Sequence, residues 1–192
     1  SNGVFGALVI STRARAILQS IDGTDALDMD GVIDILTSCD IPGMNSISHA
    51  TGQDANEERL FVQVGEEVPC VGACIGLVVA TTKETAQLAA RHVKLIYECR
   101  EGEDDKSPIL TLEAAMKAGS VFPGCIVDPL MRGDVEIGLN QASKKLNGMI
   151  STGGQMHFYL ENNCTIATPN EGGSITVRTA TQSVSATQTL VS

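Results

Sequence analysis

Val71-Gly72-Ala73-Cys74-Ile75-Gly76-Leu77-Val78-Val79-Ala80-Thr81 is the most hydrophobic run of the chain, and Thr81-Thr82-Lys83-Glu84 follows at once. A run of that length, apolar on both faces and rich in Val, predicts a buried strand. The Thr and Glu three apart predict a capping box, with Thr81 as N-cap. The helix it opens should run to about His92 with Ala86, Ala89 and Ala90 on its buried face. Arg91 and His92 then sit where the helix dipole favours cations. Val93 to Cys99 alternates and predicts a second strand. Strand, helix, strand predicts a crossover that returns both strands to one sheet. Gly72 and Gly76 predict a bulge or a close neighbour, and their spacing does not make a phosphate loop.

Working outward, Phe5 to Ser11 is apolar on both faces and predicts a central strand. Ala14 to Ile21 predicts another, closed by the turn chemistry of Asp22-Gly23-Thr24-Asp25. A short helical turn should span Ala26 to Asp30, capped by Asp25 or Thr24. Gly31 to Thr37 predicts a strand that buries Val32, Ile33, Ile35 and Leu36. Asn45 to Gly65 is a polar loop carrying His49 and one apolar piece, Leu60-Phe61-Val62. Arg100 to Pro108 is a charged loop. Short helices should follow from Thr111 to Ala118 and from Val135 to Ser143. Lys144 to Thr152 predicts a strand entering a Gly153-Gly154 turn. Strands at Cys164 to Thr168 and Ser174 to Thr181, the latter with Ile175 and Val177 inward, precede a helix capped by Ser183. That helix has few residues before Ser192, which implies a longer natural chain. The expected domains are residues 1–100, a connecting segment 101–143, and 144–192.

The chain has 192 residues, 43% of them hydrophobic, but only 3% aromatic and no Trp. Its core must therefore be aliphatic. The net charge of −10 argues against nucleic acid and anionic membranes as partners, since an acidic surface repels both. Neither a membrane span nor a signal peptide is legible. The six cysteines are scattered. Cys70 and Cys74 would lie about 13 Å apart on one strand, too far for a shared metal or a disulfide. The expectation is buried free thiols in a reducing, cytoplasmic compartment.

Chemistry concentrates in Gly153-Gly154-Gln155-Met156-His157-Phe158-Tyr159-Leu160-Glu161. Two glycines permit a tight turn or a close ligand, and a neutral amide can donate and accept. A structural alternative is a turn entering a buried strand, with His157 and Tyr159 as satisfied core groups. The stretch resembles the GGQEHFYLE segment of the molybdenum hydroxylases, the xanthine dehydrogenase and aldehyde oxidase family, with Met156 where that family usually has Glu. Ser11-Thr12-Arg13-Ala14 with Ser20-Ile21-Asp22, then Cys39 to Gly43, Val71 to Glu98, Thr165-Ile166-Ala167 and Thr181-Gln182-Ser183 extend the resemblance over nearly the whole chain.

The resemblance implies an α+β fold: a hammerhead-like mixed sheet with packed helices, followed by the first strands of a second α/β domain. It implies an oxidoreductase that hydroxylates aldehydes or N-heterocycles such as purines with water-derived oxygen. Molybdopterin-bound molybdenum is the implied cofactor of the parent protein, with FAD and 2Fe-2S clusters in other domains. Gln155 matches the family residue whose amide hydrogen-bonds an oxygen ligand of the metal. Gly153 and Gly154 let the backbone approach the cofactor, and Phe158 supports the motif. No catalytic residue and no metal ligand is expected in this chain, because the family's general base and glycine-rich cofactor run lie beyond Ser192. The isolated chain is then scaffold plus one wall of the site, inactive and holding no cofactor alone. Its partners would be the remaining domains, a second copy in a homodimer, and a small-molecule substrate. The alternative is a stand-alone binding or structural module that reuses the fold. A hydrolase is disfavoured, since no nucleophile elbow is present.

Overall fold

A computed structural model describes residues 3–47, 58–99, 109–120, 132–156, 158, 160 and 162–192. By compactness the chain divides into one unit of Ser1–Ser107 with Thr181–Ser192 and a second of Pro108–Ala180. Expectations for His49, for the charged loop at 100–108 and for 121–131 fall outside the described residues.

The first unit holds β1 (Phe5–Ile10), β2 (Ala16–Asp22), α1 (Thr24–Leu27), β3 (Val32–Leu36), β4 (Cys74–Ala80), α2 (Lys83–His92) and β5 (Lys94–Cys99). Two sheets form. One has the order β1-β4-β3, and the other pairs β2 with β5; every pairing is antiparallel. The expected single-sheet crossover is therefore wrong. β4 and β5 flank α2 in sequence but belong to different sheets. The cause lies in partner availability: β1 and β3 occupy both edges of β4, while β2 presents an edge to β5. The chain also extends along the other side of β2. Arg15 N–H donates to Val68 O, Val68 N–H to Ala16 O, and Leu18 N–H to Glu66 O, at 2.7 to 3.0 Å.

β1 is an edge strand rather than a central one. It buries Val9 and leaves Phe5, Leu8 and Ile10 exposed, so apolar composition on both faces misstated its place. In β3, Ile33 is likewise exposed, at 52%. β4 is the central strand, with Ile75, Val78 and Ala80 fully buried.

The expectation of a bulge or a close neighbour is met at Gly76, whereas Gly72 lies ahead of β4 and has no neighbour within 4 Å of an added Cβ. The β1–β4 register slips between Val9 and Ile10, which face Gly76 and Cys74, leaving Ile75 as the bulged residue. A Cβ added to Gly76 would stand 2.6 Å from the backbone oxygen of Leu36. Gly72 has φ +89°, a conformation that glycine adopts without steric cost.

α2 begins one residue later than the capping box suggests. Thr82 is its N-cap, and its hydroxyl accepts from Thr85 N–H at 3.1 Å. Thr81 instead donates its N–H to Gly31 O. Ala86 and Ala89 are fully buried, and α2 packs on β1 and β4. Arg91 and His92 occupy its last turn, as the dipole favours. α1 has no side-chain cap; Gly23 stands at the N-cap position, and Asp22 Oδ1 accepts from Thr24 N–H just ahead of it. At the far end of the same region Lys94 forms an ion pair with Asp25 at 2.6 Å.

The core is aliphatic: Val9, Leu18, Ala26, Val62, Val68, Ile75, Val78, Ala89 and Val93. Among the described residues Ser11 is its one buried polar side chain, and it is satisfied. Ser11 Oγ donates to Arg13 O at 2.6 Å, accepts from Arg13 N–H at 3.0 Å and meets Tyr97 Oη at 2.9 Å. That last contact joins the end of β1 in one sheet to β5 in the other.

The second unit contains α3 (Leu112–Lys117), α4 (Val135–Gln141) and the hairpin β6 (Thr165–Pro169) with β7 (Ile175–Thr179). Thr111 and Asp134 cap the two helices through Ala114 N–H and Ile137 N–H. Within β7 Val177 is half-buried, but Ile175 is exposed rather than inward. No strand forms over residues 144–152. Leu146, Met149 and Ile150 there are almost fully exposed, so that part of the expectation is overturned: apolar alternation cannot make a strand without an edge to pair with. α5 (Val184–Val191), grouped with the first unit, is capped by Ser183 as its sequence suggests.

Among the described residues no helix is long and apolar enough to cross a membrane. Replacing Gly76 by Ala should destabilise the fold by about 1–3 kcal/mol, because neither the strand nor the Leu36 carbonyl can move aside. Gly43→Ala, where an added Cβ meets nothing within 4 Å, should stay within about 0.5 kcal/mol. Urea unfolding of the two variants checks the contrast.

Candidate cofactor-facing segment

Residues 151–156, 158, 160 and 162–164 follow one another without regular structure, ahead of β6. A Cβ added to Gly153 or Gly154 would meet no atom within 4 Å, and neither glycine lies in the left-handed region. Glycine is therefore not required at either position by the chain itself. Gln155 is exposed, and its amide has no hydrogen-bond partner among the described residues. Met156 and Leu160 are also exposed, and Phe158 is 85% exposed. Phe158 has φ +44°, which is uncommon for a side chain with a Cβ.

The structural alternative of a buried strand is thus excluded for Gln155, Phe158 and Leu160. His157, Tyr159 and Glu161 lie outside the described residues. The segment is displayed rather than packed, and the Gln155 amide meets no hydrogen-bond partner among the described residues. Taken alone, these residues do not fit a molybdopterin: no cradle surrounds Gly153 or Gly154, and no opposite wall faces Gln155 among the described residues. Nor does any cluster of three or more His, Cys, Asp or Glu among them offer to hold a metal ion.

Among the described residues, cavities also open in the first unit. One of about 660 Å³ lies between β1 and α2, with Lys83 and Arg91 on its rim. Another, about 780 Å³, is lined by Arg59, Glu66, Cys70 and Cys74 among others. Arg59 there is paired with Glu66 at 2.9 Å. Neither cavity includes Gln155, and sequence reasoning missed both. The nearest signal was the Cys70–Cys74 spacing, which an extended-strand geometry had set aside.

The four described cysteine side chains differ from the expectation of burial. Cys39, Cys70 and Cys164 are exposed and Cys74 is half-buried, all with free thiols. Burial pushes the Cys74 thiol above its ordinary pKa, with smaller contributions from Glu58 and Cys70.

Because Gln155 is exposed and has no hydrogen-bond partner among the described residues, Gln155→Ala in this chain should change folding stability by no more than about 0.5 kcal/mol. A loss above about 1 kcal/mol in urea unfolding would make the amide a structural group instead.

Two family models match the chain. Residues 1–101 match the aldehyde oxidase and xanthine dehydrogenase a/b hammerhead domain. Residues 121–192 match the molybdopterin cofactor-binding domain. Xanthine dehydrogenase/oxidase of Rattus norvegicus is 41% identical over 185 residues, 96% of this chain and 13% of that protein. Aldehyde oxidase 2 of Mus musculus is 36% identical over 166 residues, 86% of this chain and 11% of that protein. The chain thus spans about an eighth of the length of these relatives. The aldehyde oxidoreductase of Desulfovibrio gigas superposes with a TM-score of 0.71 at 23% identity, covering 93% of this chain and 20% of that one, which is a likeness of fold. The motifs around Gln155, the hammerhead sheets and the two ordered matches together place this chain in the aldehyde oxidase and xanthine dehydrogenase family.

Proposed function

We propose that the chain is the hammerhead scaffold and one wall of the molybdenum site in a longer oxidoreductase that hydroxylates aldehydes or N-heterocycles with water-derived oxygen. The observation that carries this reading is an exposed Gly153-Gly154-Gln155 segment, unpaired among the described residues, inside a region that matches the molybdopterin cofactor-binding domain. A polar amide that neither packs nor bonds in its own unit is suited to a ligand that other residues bring. Molybdopterin-bound molybdenum supplies the two-electron redox chemistry when bound.

Gln155 contributes an uncharged amide that can hydrogen-bond a polar ligand without adding charge or competing as a ligand. Gly153 and Gly154 leave room beside it. The chain supplies no base for the reaction. Its functional division is residues 1–100 as scaffold, 101–143 as connection and 144–192 as the start of the cofactor domain. The remaining domains, carrying FAD and 2Fe-2S clusters, a second copy of the protein and a small organic substrate are its partners in this reading, and the cytoplasm is its compartment.

The exposed Met156, where the related segment carries Glu, favours a second reading, in which the fold is kept as a binding or structural module without the cofactor.

Metal analysis and turnover of the full-length protein separate the two. Stoichiometric molybdenum and oxidation of aldehydes or purines support the enzyme, and Gln155→Ala should then lower turnover or metal retention about 10- to 100-fold. A folded full-length protein free of molybdenum would establish the module instead.

A further inference from the structure

Cys70 and Cys74 line the same cavity of about 780 Å³. They do not share a strand, since β4 begins at Cys74. Between them the backbone reverses: Ala73 N–H donates to Cys70 O at 3.2 Å, and Gly72 takes φ +89°. A turn of this kind holds its first and fourth residues, here Cys70 and Ala73, within about 7 Å, and Cys74 is the next residue, so the roughly 13 Å of an extended strand does not apply. Gly72 N–H donates to Ser11 O, Ser11 N–H donates to Ala73 O, and Val62 N–H donates to Cys74 O. The cavity side of the turn is therefore anchored, while Cys70 stands at its exposed end. Both thiols are free, Cys70 exposed and Cys74 half-buried.

We propose that Cys70 and Cys74 form a dithiol modification site that reacts with low-molecular-weight disulfides, Cys70 as the entry thiol and Cys74 as the resolving one. The Cys70 thiolate attacks a sulfur of the small disulfide. A Cys70–S–S–R bond forms, the R–S–S–R bond breaks, and one RS⁻ leaves. The Cys74 thiolate then attacks the Cys70 sulfur, forms the Cys70–Cys74 bond and expels the second RS⁻. Two cysteine thiols are oxidised by two electrons, one small disulfide is reduced to two thiols, and the two cysteine protons end on the released thiolates.

The order of attack follows from access, because the attacking thiolate must reach solvent. The resolving step should quicken as pH rises, since burial keeps Cys74 in its neutral thiol form to higher pH. The site lies wholly in the hammerhead unit and is independent of whether molybdenum is bound.

The test incubates the intact protein with glutathione disulfide and glutathione in graded ratios, at neutral and mildly alkaline pH. Free thiols are then alkylated and tryptic peptides are weighed. Leu60 to Lys83 is one tryptic peptide holding both cysteines, so an internal link reads as a loss of two hydrogen atoms. The link should form at disulfide fractions about tenfold or more below those that modify Cys39 or Cys164, because its second step is intramolecular. Cys74→Ser should leave glutathione on Cys70. Cys70→Ser should leave Cys74 slow to react. Wild-type protein that carries glutathione on Cys70 with no internal link overturns the proposal. So does reaction of both cysteines in step with Cys39 and Cys164.

Discussion

Close backbone approach at two places governs the first unit. At Gly76 the missing side chain lets the Leu36 carbonyl of β3 sit where a Cβ would be, 2.6 Å away. On α2, Ala86 and Ala89 are fully buried, and their single methyl groups let the helix lie near the sheet it covers. Both contacts draw β4 into the centre, where Ile75 and Val78 are removed from water. Burying each such side chain stabilises the fold by roughly 1.5–3 kcal/mol. With β1 and β3 on its two sides, β4 has no edge left for β5. The chain leaving α2 therefore pairs with β2. Each sheet takes one strand from the β1–β2 connection and one from the β4–β5 connection. Ser11 and Tyr97 join the two sheets by a hydrogen bond at 2.9 Å.

Local chemistry was readable where a residue acts on its own neighbours. Ser183 caps the helix that its sequence position suggests, and the short helices expected from Thr111 and from Val135 form, with Thr111 as the N-cap of its helix rather than its first residue. Alanines at helical spacing identified the buried face of α2, and Gly76 marked a bulge and a close neighbour, whereas the turn at Gly72 was read as strand. What failed depends on partners distant in sequence. Apolar residues on both faces of β1 were read as burial, yet an edge strand can carry them exposed. Residues 144–152 have the composition of a strand, but no neighbouring edge is offered to their backbone. The strand–helix–strand order was legible; the sheet that receives the second strand was not, because that choice is made by β2, far earlier in the chain.

The candidate site was legible as a motif and not as a geometry. Gly153, Gly154, Gln155 and Phe158 carry the resemblance, and the matches with the hammerhead and molybdopterin-binding families agree with it. Distances and burial add nothing inward, since the described part of this segment packs on none of the described chain around it. Burial is the usual sign by which a functional polar group is found. Gln155 and Phe158 are both exposed instead. Leu146, Met149 and Ile150, a few residues earlier in the chain, are exposed as well.

The cysteines show how one wrong local assumption conceals a relationship. A strand from Val71 separates Cys70 and Cys74 along its length; a turn at Val71-Gly72 folds Cys70 back to Ala73, the residue before Cys74. Three residues lie between them, so a bridge would close a very short loop and remove little freedom from the unfolded chain. Its influence would then fall on shape more than on overall stability. The entry to β4 and one wall of the cavity would be fixed together, while Ile75 and the strands on either side of it keep their packing.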